Sequence, residues 1–179
     1  PYALKKFIQC SKVGKNCKHF FMLETYLAFK NIDQIIKSNS IKYIDGVVIG
    51  RSDFAGSLGY TKNEVNSEFI FKKIENCLIN IKKKVKKKFI FKMGGSITEK
   101  SKDFAYRLYK KKLLHFIETR NIEIKLSKKN LSNLSKIIPL IFEFETLWLE
   151  YKLKKNLLKK GTRYKGDLKR LKEIKKRML

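Results

Sequence analysis

Four short apolar runs, each closing on a glycine or a polar cluster and each followed by a helical or polar stretch, constrain this chain more than any other feature. They are Phe20 to Leu23, Ile44 to Ile49, Phe89 to Phe91 and Leu113 to Ile117. All are too short for helices, and their continuous apolar character suits strands covered on both faces. Between them the apolar positions switch to helical spacing: Ala28, Ile32, Ile35 and Ile36, then Phe69 to Val85, then Phe104, Ala105, Leu108 and Tyr109. Strand followed by helix, repeated, is the rhythm of a parallel sheet, because parallel neighbours need a long crossover between them. The expected class is therefore α/β.

Around this centre the pattern is simpler. Leu4, Phe7 and Ile8 mark a short helical face, Gly14 to Lys18 a polar loop, and Ser38-Asn39-Ser40 a break. A last helical stripe runs through Leu131, Leu134, Ile138, Ile141, Phe144, Trp148 and Tyr151, with Pro139 expected to start or kink a segment of it. The stripe reads as an outer helix packing on the sheet or as a subunit interface. Four βα units are half of the eight that close a (β/α)8 barrel, which usually takes about 250 residues. The reading is thus one partial barrel domain over 1–179, the C-terminal half of such a fold, with 131–179 as its terminal helix and basic tail. In a barrel the strand ends at Glu24, at Gly50 to Asp53, at Gly94-Gly95-Ser96 and at Glu118 to Arg120 share the face where chemistry is placed.

Bulk properties exclude several classes. An apolar fraction of 43% argues against a disordered chain, and no apolar run is long enough to span a bilayer. No signal peptide is visible, and Cys10, Cys17 and Cys77, odd in number and without a Cys-x-x-Cys pair, read as reduced core thiols in a cytoplasmic protein. The first residue is Pro1, not Met, which leaves a natural start or a fragment equally open. The net charge of +27 invites polyanions. However, Lys, Asn, Ile, Phe and Tyr are abundant together, as an A- and T-rich genome would produce. The basic runs Lys82 to Lys88 and Lys152 to Arg177 also lack the interleaved aromatics of a base-stacking platform. Weak, salt-sensitive association fits better than specific nucleic-acid binding.

Chemistry concentrates on the second run. Glycines at 46, 50, 56 and 59 let the backbone turn tightly around Asp53, a carboxylate just past a strand end. Asp53 either caps the next helix or serves a ligand. The segments Phe21-Met22-Leu23-Glu24-Thr25, Asn31 to Ile35, and Ile44-Asp45-Gly46-Val47-Val48-Ile49-Gly50-Arg51-Ser52-Asp53-Phe54-Ala55-Gly56-Ser57-Leu58-Gly59 resemble the HpcH/HpaI aldolase and citrate lyase beta-subunit family. Gly94-Gly95-Ser96, Phe116 to Arg120 and Glu143 to Leu149 are similar to a branch of that family, so the resemblance covers nearly the whole chain. It implies a (β/α)8 barrel, an oligomer, and a divalent metal, Mg2+ or Mn2+, bound by Glu24 and Asp53. The substrate carboxylate would lie near Ser52 and Asp53. Arg51 stands where better-known members have proline, which would place an extra charge in the substrate site.

The resemblance implies a metal-dependent carbon–carbon lyase acting on a 2-oxo acid through pyruvate-enolate chemistry. Magnesium, a hard ion that keeps several waters, needs few protein oxygens for this. The family's substrate-binding arginine and assisting histidine lie in the first half of its barrel, so no catalytic residue is assigned within this chain. The alternative is a non-catalytic, barrel-derived binding protein that uses its basic surface for polyanions. Other candidates read as structural: His19 and His115 precede their strands, opposite the chemical end, and Lys92 lacks any Schiff-base motif. Glu118 and Arg120 suit an ion pair at least as well as substrate contact.

Overall fold

A computed structural model describes residues 2–10, 17–156 and 162–178. Pro1, part of the expected loop at Gly14 to Lys18, and part of the basic tail (157–161) lie outside the described residues. The chain divides into two compact units, Pro1–Leu131 and Ser132–Leu179.

The first unit is α/β. In chain order it contains α1 (Tyr2–Cys10), β1 (Phe20–Leu23), α2 (Tyr26–Lys30), α3 (Ile32–Lys37), β2 (Gly46–Gly50), α4 (Arg51–Gly56), α5 (Glu68–Lys84), β3 (Ile90–Gly94), α6 (Lys102–Lys110), β4 (Phe116–Glu118), β5 (Glu123–Lys125) and α7 (Lys128–Ser132). Short 3-10 turns at Asn39–Tyr43, Lys62–Glu64 and Glu99–Ser101 fill the connections. The sheet order is β1-β2-β3-β4-β5. The first three pairings are parallel and the last is antiparallel, so the sheet is mixed. The first four strands are those the sequence predicts; β5 is an addition, folded back on β4 through a tight turn in which Thr119 N–H donates to the Ile122 carbonyl at 2.8 Å.

Several boundaries shift from expectation for local reasons. The single helix expected across Ala28 to Ile36 is two, α2 and α3, meeting at Asn31. Strand β3 runs to Gly94 rather than stopping at Phe91, and β4 begins at Phe116 because Leu113 and Leu114 are buried in its lead-in.

The two sheet faces differ. Leu23, Val47, Ile49, Phe91, Met93 and Ile117 point to one side and are all buried. Ile70, Ile74, Leu78 and Ile81 of α5, with Phe104 and Leu108 of α6, are buried as well and complete the core. Alternation in a strand puts Phe20, Met22, Val48, Lys92 and Phe116 on the other side. There Met22 is 57% exposed and Lys92 lies 4.0 Å over the Phe20 ring. The runs are thus apolar throughout, yet only one face is fully covered.

The second unit pairs α8 (Leu134–Asn156) with α9 (Thr162–Met178). Helix α8 runs through Pro139 without a break in assignment. Two buried acids fix the pair: Glu145 takes Arg170 at 3.2 Å and Asp167 takes Lys152 at 2.7 Å. The basic tail is therefore in part a packed helix. No helix among the described residues is long and apolar enough to cross a membrane. Of the three cysteines only Cys77 is a core thiol, its pKa pushed up to about 12 by burial and by nearby Asp33; Cys10 and Cys17 are exposed, contrary to the expectation for all three.

Candidate active site

The parallel register lines up one row of residues across the carboxyl ends of four strands. Leu23 pairs with Ile49, Gly50 with Gly94 and Met93 with Ile117, so the next residues form the row Glu24, Gly50, Gly94, Glu118. Aligned residues of parallel strands point to one face, here the open one. The two glutamates flank two glycines, and their side chains lie over them. A Cβ on Gly50 would stand 2.8 Å from Glu24 Cβ and 2.9 Å from its Oε2, and one on Gly94 would stand 3.5 Å from Glu118 Cγ. Gly50 is thus a glycine because the Glu24 side chain occupies the space of its Cβ.

Asp53 lies in the first turn of α4, three residues past Gly50, and is exposed. The loops carrying Glu24 and Asp53 are fastened to each other. Tyr26 N–H donates to Ser57 Oγ at 2.8 Å, Ser57 Oγ donates to the Phe54 carbonyl at 2.7 Å, and the Phe29 and Phe54 rings stack 3.9 Å apart. Thr25 caps α2 by accepting the Ala28 N–H at 3.2 Å, so the Glu-Thr pair divides into a strand-end carboxylate and a helix cap. Asp53 itself does not cap: the N-cap position of α4 is Gly50.

Several carboxylates of this unit are paired with basic side chains. Asp33 meets Lys84, Glu68 meets Arg107, Glu75 meets Lys111 and Glu123 meets Lys92. Among the described residues the Glu24, Asp53 and Glu118 side chains have no hydrogen bond or salt bridge. Burial raises the Glu118 pKa above the usual glutamate range; Lys92 pulls it down and Glu123 pushes it up by less. Glu118 and Arg120 do not form the expected ion pair; Lys92 pairs instead with Glu123 on β5.

Arg51 is where expectation and structure part. Its side chain is completely buried, so it is not a charge in the substrate site and does not serve as a substrate ligand. The guanidinium donates to the carbonyls of Gly94 (3.3 Å), Gly95 (2.8 Å) and Ser96 (3.4 Å), to Asn66 Oδ1 (2.7 Å) and to Ser101 Oγ (3.1 Å). Its flat face lies 4.9 Å from the Phe104 ring centre. Burial pulls its pKa down to about 9, so it stays charged at neutral pH. The loop it holds is tightly folded: Gly95 has φ +79° and Ser96 φ +50°. A Cβ on Gly95 would stand 2.6 Å from the Ser52 backbone nitrogen. Ser52 is half-buried and its Oγ lies 2.8 Å from Ser96 Oγ. Sequence reasoning missed this clamp, although the pairing of Arg51 with Gly94-Gly95-Ser96 on the next strand was visible as two motifs.

His115 accepts the Phe91 N–H at Nδ1 (3.0 Å) and stacks on the Phe91 ring, while the His19 backbone N–H donates to Asp45 at 2.7 Å.

The donor chemistry discriminates between metals. No group of three or more His, Cys, Asp or Glu side chains able to hold a metal occurs among the described residues. Zinc, which takes three or four protein ligands, is poorly served. A hard cation that keeps its waters and uses one or two carboxylates suits Glu24 and Asp53. No known protein-family profile and no curated protein matches this chain.

Proposed function

We propose that the first unit supplies consecutive βα units of a (β/α)8-type barrel whose carboxyl-end rim serves a metal-dependent carbon–carbon lyase of the 2-oxo acid aldolase type. One observation carries the reading. In a chain of net charge +27, Glu24 and Asp53 lie unpaired at the carboxyl end of a parallel sheet, on loops fastened to each other. Two carboxylates without a lysine partner on neighbouring strand-end loops offer oxygen ligands to a divalent cation. The half-open sheet face supports the barrel: Met22 and Lys92 stand where a barrel interior would enclose them.

In this reading Glu24 and Asp53 hold Mg2+ or Mn2+, which when bound supplies Lewis-acid stabilisation of a developing enolate. The chain's own residues shape the space around it. Gly50 and Gly94 leave the space over the backbone that the Glu24 and Glu118 side chains occupy, which holds both carboxylates close to the strand ends. Ser52 sits beside the loop that Arg51 holds in place. Glu118, raised in pKa by burial, is placed to keep or release a proton at its carboxyl oxygens nearer neutral pH than an exposed glutamate.

The test is exchange of pyruvate methyl protons into D2O, followed by proton NMR. Exchange accelerated by Mg2+ and lost in Asp53→Asn is the expected result. Acceleration that persists in the variant, or that ignores chelation of the metal, removes the assignment.

A further inference from the structure

Lysine is dense at the amino end of the sheet, while the carboxyl-end loops mix acids with Lys62, Lys100 and Arg120. At the carboxyl end stand Glu24, Asp53 and Glu118. Every lead-in to a parallel strand, at the amino end, carries lysine. Lys18 precedes β1, Lys37 and Lys42 precede β2, residues 82–84 and 86–88 precede β3, and residues 110–112 precede β4. All of these are exposed. A helix C-terminus favours one or two cations, which accounts for Lys37, residues 82–84 and Lys110 in the last turns of α3, α5 and α6 but not for the loops.

These lysines form one continuous edge. Lys82 Nζ donates to the carbonyls of Lys111 and Lys112, both at 3.3 Å, joining the end of α5 to the turn before β4. Lys87 Nζ donates to the Lys42 carbonyl at 2.8 Å, joining the lead-ins of β3 and β2. The acids nearby are engaged: Asp33 takes Lys84 and Asp45 accepts the His19 N–H. His115, at this same end, registers the field: its pKa is lowered first by burial and then by Lys82, with Lys88 adding to it.

We infer that this lysine edge is a docking surface for the phosphodiester backbone of nucleic acid, read without regard to sequence. Four adjacent strands span about 14 Å between the outermost lead-ins. At about 3.4 Å of rise per phosphate on one strand, that length faces roughly four phosphates per strand. Among the described residues the lysine loops carry no array of exposed rings for stacking bases; the half-exposed Tyr43 ring stands by itself, with Lys42 Nζ 5.0 Å from its centre. Binding here leaves the carboxylate end of the sheet open, so this surface is independent of the proposed lyase site.

The test is fluorescence anisotropy of a labelled, mixed-sequence duplex DNA of about 20 base pairs, titrated with the full chain between 50 and 200 mM KCl. The variant Lys83→Gln/Lys86→Gln/Lys88→Gln removes three lysines that have no hydrogen bond or ion pair from their ammonium groups among the described residues. It is expected to lower affinity at least tenfold and to flatten the slope of log K against log salt by about 2–3, since each lost phosphate contact contributes about 0.9. The matched variant Lys62→Gln/Lys72→Gln/Lys100→Gln, away from this edge, is expected to change affinity less than threefold. Lys→Arg at 83, 86 and 88 is expected to restore binding. Equal losses in the two glutamine variants, no binding at 50 mM salt, or displacement of the DNA by vesicles of phosphatidylserine at equal charge would each overturn the inference.

Discussion

Replacing Arg51 by methionine tests the clamp behind the site. Methionine fills most of the aliphatic volume and donates nothing, so five acceptors lose the guanidinium; the Ser96 carbonyl keeps Ser101 Oγ and Ser101 Oγ keeps the Thr98 N–H, while the Gly94 and Gly95 carbonyls and Asn66 Oδ1 lose an Arg51 bond. Three of those bonds, at 2.7, 2.8 and 3.1 Å, are short enough to carry most of the interaction. Leaving a buried acceptor unsatisfied costs about 1–3 kcal/mol each, so loss of the three short bonds sets a range that begins at about 3 kcal/mol. Two effects place Arg51→Met at the lower end, about 3 kcal/mol. Carbonyls tolerate a missing partner better than N–H groups, and removing the guanidinium also relieves the burial that pulls its pKa down to about 9. With a urea m-value of about 2 kcal/mol/M, the midpoint falls by about 1.5 M. Trp148 lies in the helical unit, so its fluorescence reports the other part of the chain. The assay is therefore far-UV circular dichroism, with hydrogen exchange at the amides of residues 94–97 as the local readout. Those amides are expected to lose protection before the rest of β3. A stability change under 0.5 kcal/mol with unchanged exchange would refute the clamp.

Two further outcomes follow from the same row of residues. Gly50→Ala puts a Cβ 2.8 Å from Glu24 Cβ, an atom too near the backbone to swing away, so an overpacking cost of about 1–3 kcal/mol is expected in thermal unfolding. Glu118→Gln is expected to stabilise the fold at pH 7: the folded pKa is raised, so the ionised form carries a penalty that is absent below the unfolded glutamate pKa and complete above the folded one. Its gain in urea midpoint is expected to vanish by pH 4, and a gain independent of pH would contradict the burial argument.

The four parallel strands were legible because their apolar runs are bounded by glycine and polar clusters, and β1 falls on Phe20–Leu23 as predicted. Strand β5 was not, because Glu-Ile-Lys at 123–125 has one apolar residue and pairs only through the turn at Thr119. The carboxylates at the strand ends were readable from position alone. Their row with Gly50 and Gly94 was not, since β1 and β2 are apolar or glycine at every position and lack the alternation that would fix register. Arg51 misled for a related reason. A charged side chain beside a strand end suggests a ligand, but whether it turns outward or under the next loop depends on Gly95, whose φ of +79° lets that loop fold onto α4.

The central claim is that Glu24 and Asp53 share a divalent cation. Titration of Mn2+ into the full chain, with free ion followed by electron paramagnetic resonance, measures it directly. The account predicts one site per chain, displaced by Mg2+, whose affinity falls at least tenfold in Glu24→Gln and in Asp53→Asn alike, while Glu123→Gln binds as the parent does. Saturable binding that both substitutions leave unchanged, or no binding by the parent chain, would contradict it.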